Sequence, residues 1–448
     1  MANVISPAAD PIWSRTVLFV RGHRWANRPE PDQIMDHLWR QRPIITGNSE
    51  LLRSKAGQQA AILLVNLMAR ICPGILIDVP RNIPLIVPKN PLINHDYLFD
   101  ALAAVPLQIW GEGCKGPAHD SELALSIGSW PASRRKPHIV VRFGSWWGGA
   151  FENDARADND DSDSSGPGSL VAACLGAAAA YKTIVRRLAA KYPLLANDNT
   201  SWDLRGGSQC LSVLDYSLSA SDGPQVSSAR LALPVTFVSA GAITSAVVYA
   251  MSCLGLRLQD ASIFDPKIVD APDLNRYITL CNQHLGRFKT EAMAEWLSCS
   301  GKIECRNESF VATGGDVPRG DQLFVVGVDH IPSRWEAQRA LPMKMLIGAT
   351  EQDEVRISAH RKGANGLCAL CLDRQEPELT GALIPTISFV SALTGITVAA
   401  ELLKETDPNV FEYRLSNVAG GRLLQLSGML NWSHRFVPGT ADCRHCAA

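Results

Sequence analysis

Four cysteines fall into two C-x-x-C pairs, Cys368-Ala-Leu-Cys371 and Cys443-Arg-His-Cys446. A thiolate is a soft ligand, and two intervening residues let both sulfurs of a pair reach one ion from a single knuckle. Two such knuckles complete the tetrahedral sulfur shell of a structural zinc site. The long gap between them makes the site a tertiary clamp rather than a finger. A disulfide or a redox pair is the other reading of such spacing, and His445 inside the second knuckle is an alternative ligand. The second place with chemistry is the turn Ser239-Ala240-Gly241-Ala242-Ile243-Thr244, between a β-branched run and an apolar helical pattern. Small residues let backbone N–H groups and a helix N-terminus approach a phosphate. Ser239, Gly241, Ala242 and Thr244 are therefore candidate nucleotide contacts, although G-x-G-x-x-G is reduced here to S-x-G-x-x-T. Asp265 ends the next apolar run, where a carboxylate accepts hydrogen bonds from ribose hydroxyls. Its bland alternative is a turn cap.

Three further segments follow in order: Asp265-Pro-Lys-Ile-Val-Asp-Ala-Pro-Asp-Leu-Asn-Arg276-Tyr277, Gly286-Arg-Phe-Lys289, and Val328-Asp329-His330-Ile-Pro-Ser-Arg334. From about Leu231 to the C-terminus the chain resembles the ubiquitin-activating enzyme superfamily, which includes bacterial adenylyltransferases acting on thiamine and molybdopterin sulfur carriers. The resemblance implies a Rossmann-like adenylation domain with a mixed sheet, using ATP and Mg2+ and clamped by Zn2+ on the four cysteines. It assigns Asp265 to the ribose, and sets Arg276 and Lys289 against the triphosphate. It places Asp273 and Asn275 beside the nucleotide and gives the magnesium ion to Asp329. The implied partners are a ubiquitin-like protein, whose C-terminal carboxylate is adenylated, and a conjugating enzyme. A homodimer is left open. The implied setting is a bacterial ubiquitin-like conjugation pathway, with phage defence among its uses. A sulfur-carrier adenylyltransferase and a catalytically dead nucleotide-binding scaffold are the alternatives.

The chain also departs from the family pattern. Lys267 stands for its second aspartate, Asp273 for an asparagine, Tyr277 for a glutamine and His330 for an asparagine. The crossover segment 372–388, where self-charging members carry a nucleophilic cysteine, has none. Thr380, Thr386 and Ser388 are the hydroxyls that stand there instead, and a cysteine elsewhere in the domain, such as Cys281, Cys299 or Cys305, is the other candidate.

These groups need a scaffold, and the 448 residues, 46% of them hydrophobic, allow two or three domains with large cores. A net charge of −1 gives no drive toward nucleic acid or anionic membrane. The N-terminus lacks the pattern of a secretory signal. The most apolar stretch, 231–254, is interrupted by Thr236, Ser239, Gly241, Thr244 and Ser245. Reduced thiols in a cytoplasmic chain fit the scattered cysteines. The boundary is expected at the small polar break 219–230, giving domains 1–220 and 221–448. The first reads as α/β, with adjacent strands at 75–79 and 83–87, further strands at 123–127 and 139–143, and helices at 50–71 and 170–191. The acidic loop 151–169 interrupts it. It is either an inactive copy of the adenylation domain or an unrelated partner-binding domain. Were it a copy, an arginine such as Arg15 or Arg21 would reach the active site in trans. Trp146 and Trp147 read as core. The second domain reads as strand 235–238, helix 243–254, strand 261–264, helix 288–298, strands 322–328, 344–348 and 355–359, and helix 389–403.

Overall fold

The computed structural model describes residues 13–23, 25–111, 123–129, 139–152, 166–193, 208–226, 230–297, 300–312, 322–361, 364, 366–373, 386–407, 410–411, 415, 417–424, 431–440, 443 and 446. In chain order the first half contains α1 (Ser14–Arg21), α2 (Pro31–Arg40), β1 (Ile44–Gly47), α3 (Lys55–Ala69), β2 (Leu76–Asp78), α4 (Leu98–Trp110), β3 (Ala124–Ile127), β4 (Ile139–Phe143), β5 (Trp147–Glu152), α5 (Gly168–Ala189) and β6 (Gln209–Ser212). The second half begins with β7 (Arg230–Leu231), β8 (Val235–Val238), α6 (Ala242–Leu254), β9 (Arg257–Leu258), β10 (Asp260–Phe264), α7 (Lys289–Ala294), β11 (Lys302–Arg306) and β12 (Leu323–Val326). It continues with α8 (Ile331–Arg339), β13 (Lys344–Glu351), β14 (Glu354–Arg361), α9 (Ala369–Leu372), α10 (Ser388–Lys404), β15 (Val418–Arg422) and β16 (Asn431–Arg435).

The larger sheet has the order β11-β10-β8-β12-β13-β14-β15-β16. Strands β11 through β13 run parallel, and their chain order within the sheet is 3-2-1-4-5, the doubly wound Rossmann-like order. Strands β14, β15 and β16 then extend the sheet antiparallel. β8 reads Val-Thr-Phe-Val because both of its faces are covered, and all four residues are buried.

The smaller sheet, β2-β1-β3-β4-β5-β6, repeats this plan. β1 lies parallel between β2 and β3, as β8 lies between β10 and β12. β4 joins in parallel like β13, and β5 and β6 are antiparallel like β14 and β15. A long helix follows the antiparallel hairpin in each half, α5 in one and α10 in the other. α5 packs on β4, β5 and α3, and α10 packs on β13, β14 and α6. The two long helices then meet, Tyr181 lying 5.6 Å from Phe389 between ring centroids. One apolar cluster runs through both halves, and two smaller ones, around Phe324 and around Leu274, lie in the second half. The two halves therefore form a pseudo-dimer within one chain.

The turn between β8 and α6 differs from the corresponding turn of the first half. Sheet register aligns Gly47 with Val238, since Gly47 pairs with Ile127 as Val238 pairs with Val326. Counting onward, Glu50 falls at the place of Gly241 and a 3-10 turn, Leu51–Arg53, replaces the helix start. Pro80 falls at the place of Asp265. The first half thus places an acidic side chain and a proline where the second half has Gly241 and Asp265.

Several expected elements differ. The run 83–87 is no strand: Pro84 makes only an isolated bridge to Tyr97, and a proline ring has no N–H for a ladder. β2 pairs instead with β1, a strand the composition of 44–47 did not announce. The expected loop 151–169 starts later, since β5 continues through Glu152, and 153–165 lie outside the described residues. Trp146 and Trp147 are buried, as core residues. α5 is the one described helix long and apolar enough to cross a membrane, and 94% of its apolar window is buried within the protein.

Candidate functional site

β8, β10 and β12 end together, and the residues just past their carboxyl ends open a cleft of about 1050 Å³. Ser239, Gly241, Ala242, Asp265, Lys267, Asp273, Arg276, Tyr277, Lys289, Asp329, His330, Arg334, Thr386 and Ser391 line it, together with Arg15 from α1. This is the crevice where strand order reverses, the usual ligand position in an open α/β sheet.

The turn is built by close approach. Ser239 adopts φ +82°, a left-handed conformation that favours glycine. Asp265 holds it there: one carboxylate oxygen accepts the Ala240 N–H at 2.9 Å and the Ser239 hydroxyl at 3.3 Å, and the other accepts the Lys267 N–H at 2.9 Å. A Cβ on Gly241 would stand 2.9 Å from the Gly327 carbonyl oxygen, so only glycine brings this turn against β12. Thr244 does not reach the cleft. It is fully buried with its hydroxyl beside Gly327, where a Cβ would meet it at 2.4 Å.

Three helices start at the cleft: α6 at Ala242, α8 behind His330, and α10 behind Thr386 and Ile387. None has a side-chain cap bond at its N-terminus. Such helix starts present unsatisfied N–H groups to an anion.

Cationic groups face the same space. Lys289 is buried, pairs with Asp273 at 2.8 Å and donates to the Tyr277 hydroxyl at 3.1 Å. Burial works against its charge, but Tyr277 and Asp273 outweigh burial and hold the ammonium above the ordinary lysine value. The aspartate that stands for an asparagine is thus matched by the lysine. Arg276 donates to Thr386 at 3.1 Å. Arg15 lies in the field of Arg276, Asp329, Tyr277 and Asp273; burial first, and Arg276 second, lower its pKa. Arg15 arrives in cis, within one chain, whereas Arg21 does not line the cleft.

Asn275 does not line the cleft. It is buried away from the cleft, accepting the Thr16 N–H at 3.1 Å and donating to the Arg70 carbonyl at 2.9 Å. The 3-10 turn Ala271–Asn275 sends Asp273 and Arg276 to one side and Asn275 to the other. Of the alternative nucleophiles, Thr386 lines the cleft, while Ser388 is fully buried. Cys281 is buried, its thiol pushed up to about 11 by burial, and Cys305 is raised by burial. Neither cysteine lines the cleft. Thr380 and Cys299 lie outside the described residues.

The four cysteines come together. Cys368 Sγ lies 3.7 Å from Cys443 Sγ, Cys446 Sγ lies 3.7 Å from Cys371 Sγ, and all four sulfurs fall within 4.8 Å of one another. Zinc–sulfur bonds of about 2.3 Å in a tetrahedron put sulfurs about 3.8 Å apart, so the donor set fits zinc. All four are separate thiols. The knuckle is wired to the cleft wall: Asp373, two residues past Cys371, accepts from Arg334 at 3.0 Å and from Arg356 at 2.8 Å, and Arg334 also donates to the Val328 carbonyl at 2.8 Å. His445 lies outside the described residues. Cys443→Ser is expected to abolish zinc binding in metal analysis and to cost about 2 kcal/mol of stability by denaturant titration. Full zinc content with unchanged stability would remove the site.

A family model described as the BilD N-terminal domain matches residues 44–192. No curated protein matches the chain. Among solved structures, E. coli MccB with the MccA-N7isoASN peptide is 16% identical with a TM-score of 0.40, over 48% of this chain and 67% of that one. E. coli MccB with ATP is 16% identical with a TM-score of 0.38, over 48% and 66%. PaaA is 11% identical with a TM-score of 0.35, over 46% and 73%.

Proposed function

We propose that this chain adenylates the C-terminal carboxylate of a small ubiquitin-like protein with ATP and passes the acyl group to a conjugating enzyme or another nucleophile. The observation that carries the reading is the cleft: three uncapped helix starts, Arg15, Arg276 and Asp329 converge on the switch point of a doubly wound sheet. In the proposed reaction a carboxylate oxygen of the carrier attacks the α-phosphorus. The bond to pyrophosphate breaks, giving an acyl adenylate. Negative charge spreads over the phosphate oxygens in the transition state, and positioned cations with helix N-termini stabilise it where it develops. Arg276 and Arg15 are assigned to that charge, Lys289 keeps Asp273 from repelling it, and Asp265 accepts from the ribose. Magnesium, when bound with the nucleotide, supplies further neutralisation on the phosphates, and Asp329 is the residue that would hold it. The four-cysteine cluster is assigned to structural zinc. The first half serves as an inactive copy that supplies Arg15. The absence of a cysteine from segment 372–388 supports direct hand-off, in the setting of a bacterial conjugation pathway.

A second reading has its own observation: Lys289 is engaged by Asp273 and Tyr277, which suits a cleft that binds nucleotide without turnover. ATP–pyrophosphate exchange with carrier candidates encoded beside this gene separates the two. Carrier-dependent exchange is expected. Tight nucleotide binding with no exchange from any carrier would favour the scaffold. An adduct cleaved by hydroxylamine but resistant to reductant would mark an oxyester on Thr386 or a neighbour.

A further inference from the structure

The segment that carries Arg276 and Tyr277 is held largely by the other half of the chain. Arg70, at the end of α3, is fully buried. Its guanidinium donates to the Leu274 carbonyl, to the Leu280 carbonyl at 2.9 Å and to Asn66 Oδ1 at 2.8 Å. Asn66 in turn donates to the Ile278 carbonyl at 2.8 Å. From the segment itself, Asn275 reaches back to the Arg70 carbonyl and shares two hydrogen bonds with the Thr16 hydroxyl, at 3.0 and 2.9 Å. Thr16 is the neighbour of Arg15. The second half supplies Ser245, which accepts the Thr279 N–H at 3.2 Å.

A buried guanidinium solvated by neutral oxygens is costly to keep. Its return is geometric. The rigid fork fixes two carbonyls that bracket Arg276 and Tyr277, with a reach that a lysine point charge lacks. We infer that Arg70, with Asn66 and Thr16, is a positioning element that sets the backbone of residues 274–280 and so aims Arg276, beside Arg15, into the nucleotide cleft. The first half thus acts on the site mechanically as well as through Arg15. This inference rests on the nucleotide reading of the cleft.

The test is calorimetric binding of a non-hydrolysable ATP analogue, alongside melting, for the full chain. Arg70→Lys is expected to weaken binding about tenfold, since small displacements of charged groups carry large penalties. In an Arg276→Ala background the same substitution is expected to change affinity less than twofold, because the group it aims is gone. Asn275→Ala and Thr16→Val loosen the junction from the opposite side and are expected to weaken binding in the same direction should Arg70→Lys fail to fold. Affinity unchanged in all three, or an equal loss with and without Arg276, would overturn the inference while leaving the nucleotide reading intact. No binding by the unsubstituted protein would sink both.

Discussion

Substituting Asp329 by alanine is expected to reduce carrier-dependent pyrophosphate exchange by at least about a thousandfold, while the melting temperature stays where it was. Asp329 follows β12 and is exposed at the cleft, so its loss falls among surface changes of about 0.5 kcal/mol or less. The other cleft carboxylates are committed. Asp265 is bonded to the backbone of Ala240 and Lys267. Asp273 is spent on Lys289, and Asp270 caps its own 3-10 turn at Ala271. Asp329 is therefore the carboxylate best placed among the described residues to hold a cation against the phosphates, and charge stabilisation of this kind is usually the largest single catalytic contribution. Exchange in Asp329→Ala within tenfold of the parent would remove the adenylation reading. A parallel loss of melting temperature would reassign the residue to structure.

The parts of this site that the sequence shows are those with a short-range reason. β8, the turn and α6 are readable because a buried parallel strand, a small-residue turn and an apolar helix each have a local composition. The knuckle pairs are readable because metal chelation fixes spacing. What the sequence hides is what arrives from far along the chain. The sequence offers Arg15 and Arg21 alike, and only the fold, which brings Arg15 to the cleft from more than 200 residues away, separates them. Arg70 reads as one more charge after an apolar helix, yet it is fully buried and bridges the halves. The place of Asn275 is not legible either, because a resemblance orders residues along the chain, whereas the 3-10 turn decides which side each faces. The sequence leaves open whether the first half is a copy, since Glu50 and Pro80 keep no trace of the residues they parallel, and the repeated sheet plan shows only in the strand order.

The largest stability effect is expected at Glu401. One of its carboxylate oxygens accepts from the Tyr216 hydroxyl at 2.5 Å and from Lys404 at 2.6 Å; the other accepts the Leu415 N–H at 3.0 Å. Lys404 also donates to the Leu214 carbonyl at 2.7 Å and lies 4.7 Å from the Tyr216 ring centroid. Glu401 and Lys404 belong to α10, whereas Leu214 and Tyr216 follow β6, so this fully buried pair locks the two halves together. Glu401→Ala leaves buried Lys404 without its carboxylate partner, and is expected to cost about 3–5 kcal/mol in denaturant titration at neutral pH. Glu401→Leu with Lys404→Met, which removes both charges, is expected to cost much less. The pH dependence has a definite sign. Burial alone would raise the Glu401 carboxyl, but Lys404 and Lys344 outweigh it and lower the value from 4.5 to about 2. The depressed value means that the stabilisation is complete above about pH 4.5 and is lost as pH falls toward the folded value. Glu401→Gln is expected to lack that portion of the acid slope. An identical slope in both proteins would show that Glu401 is not held as an anion, and an unchanged denaturation midpoint in Glu401→Ala would show that this ion pair does not hold the halves together.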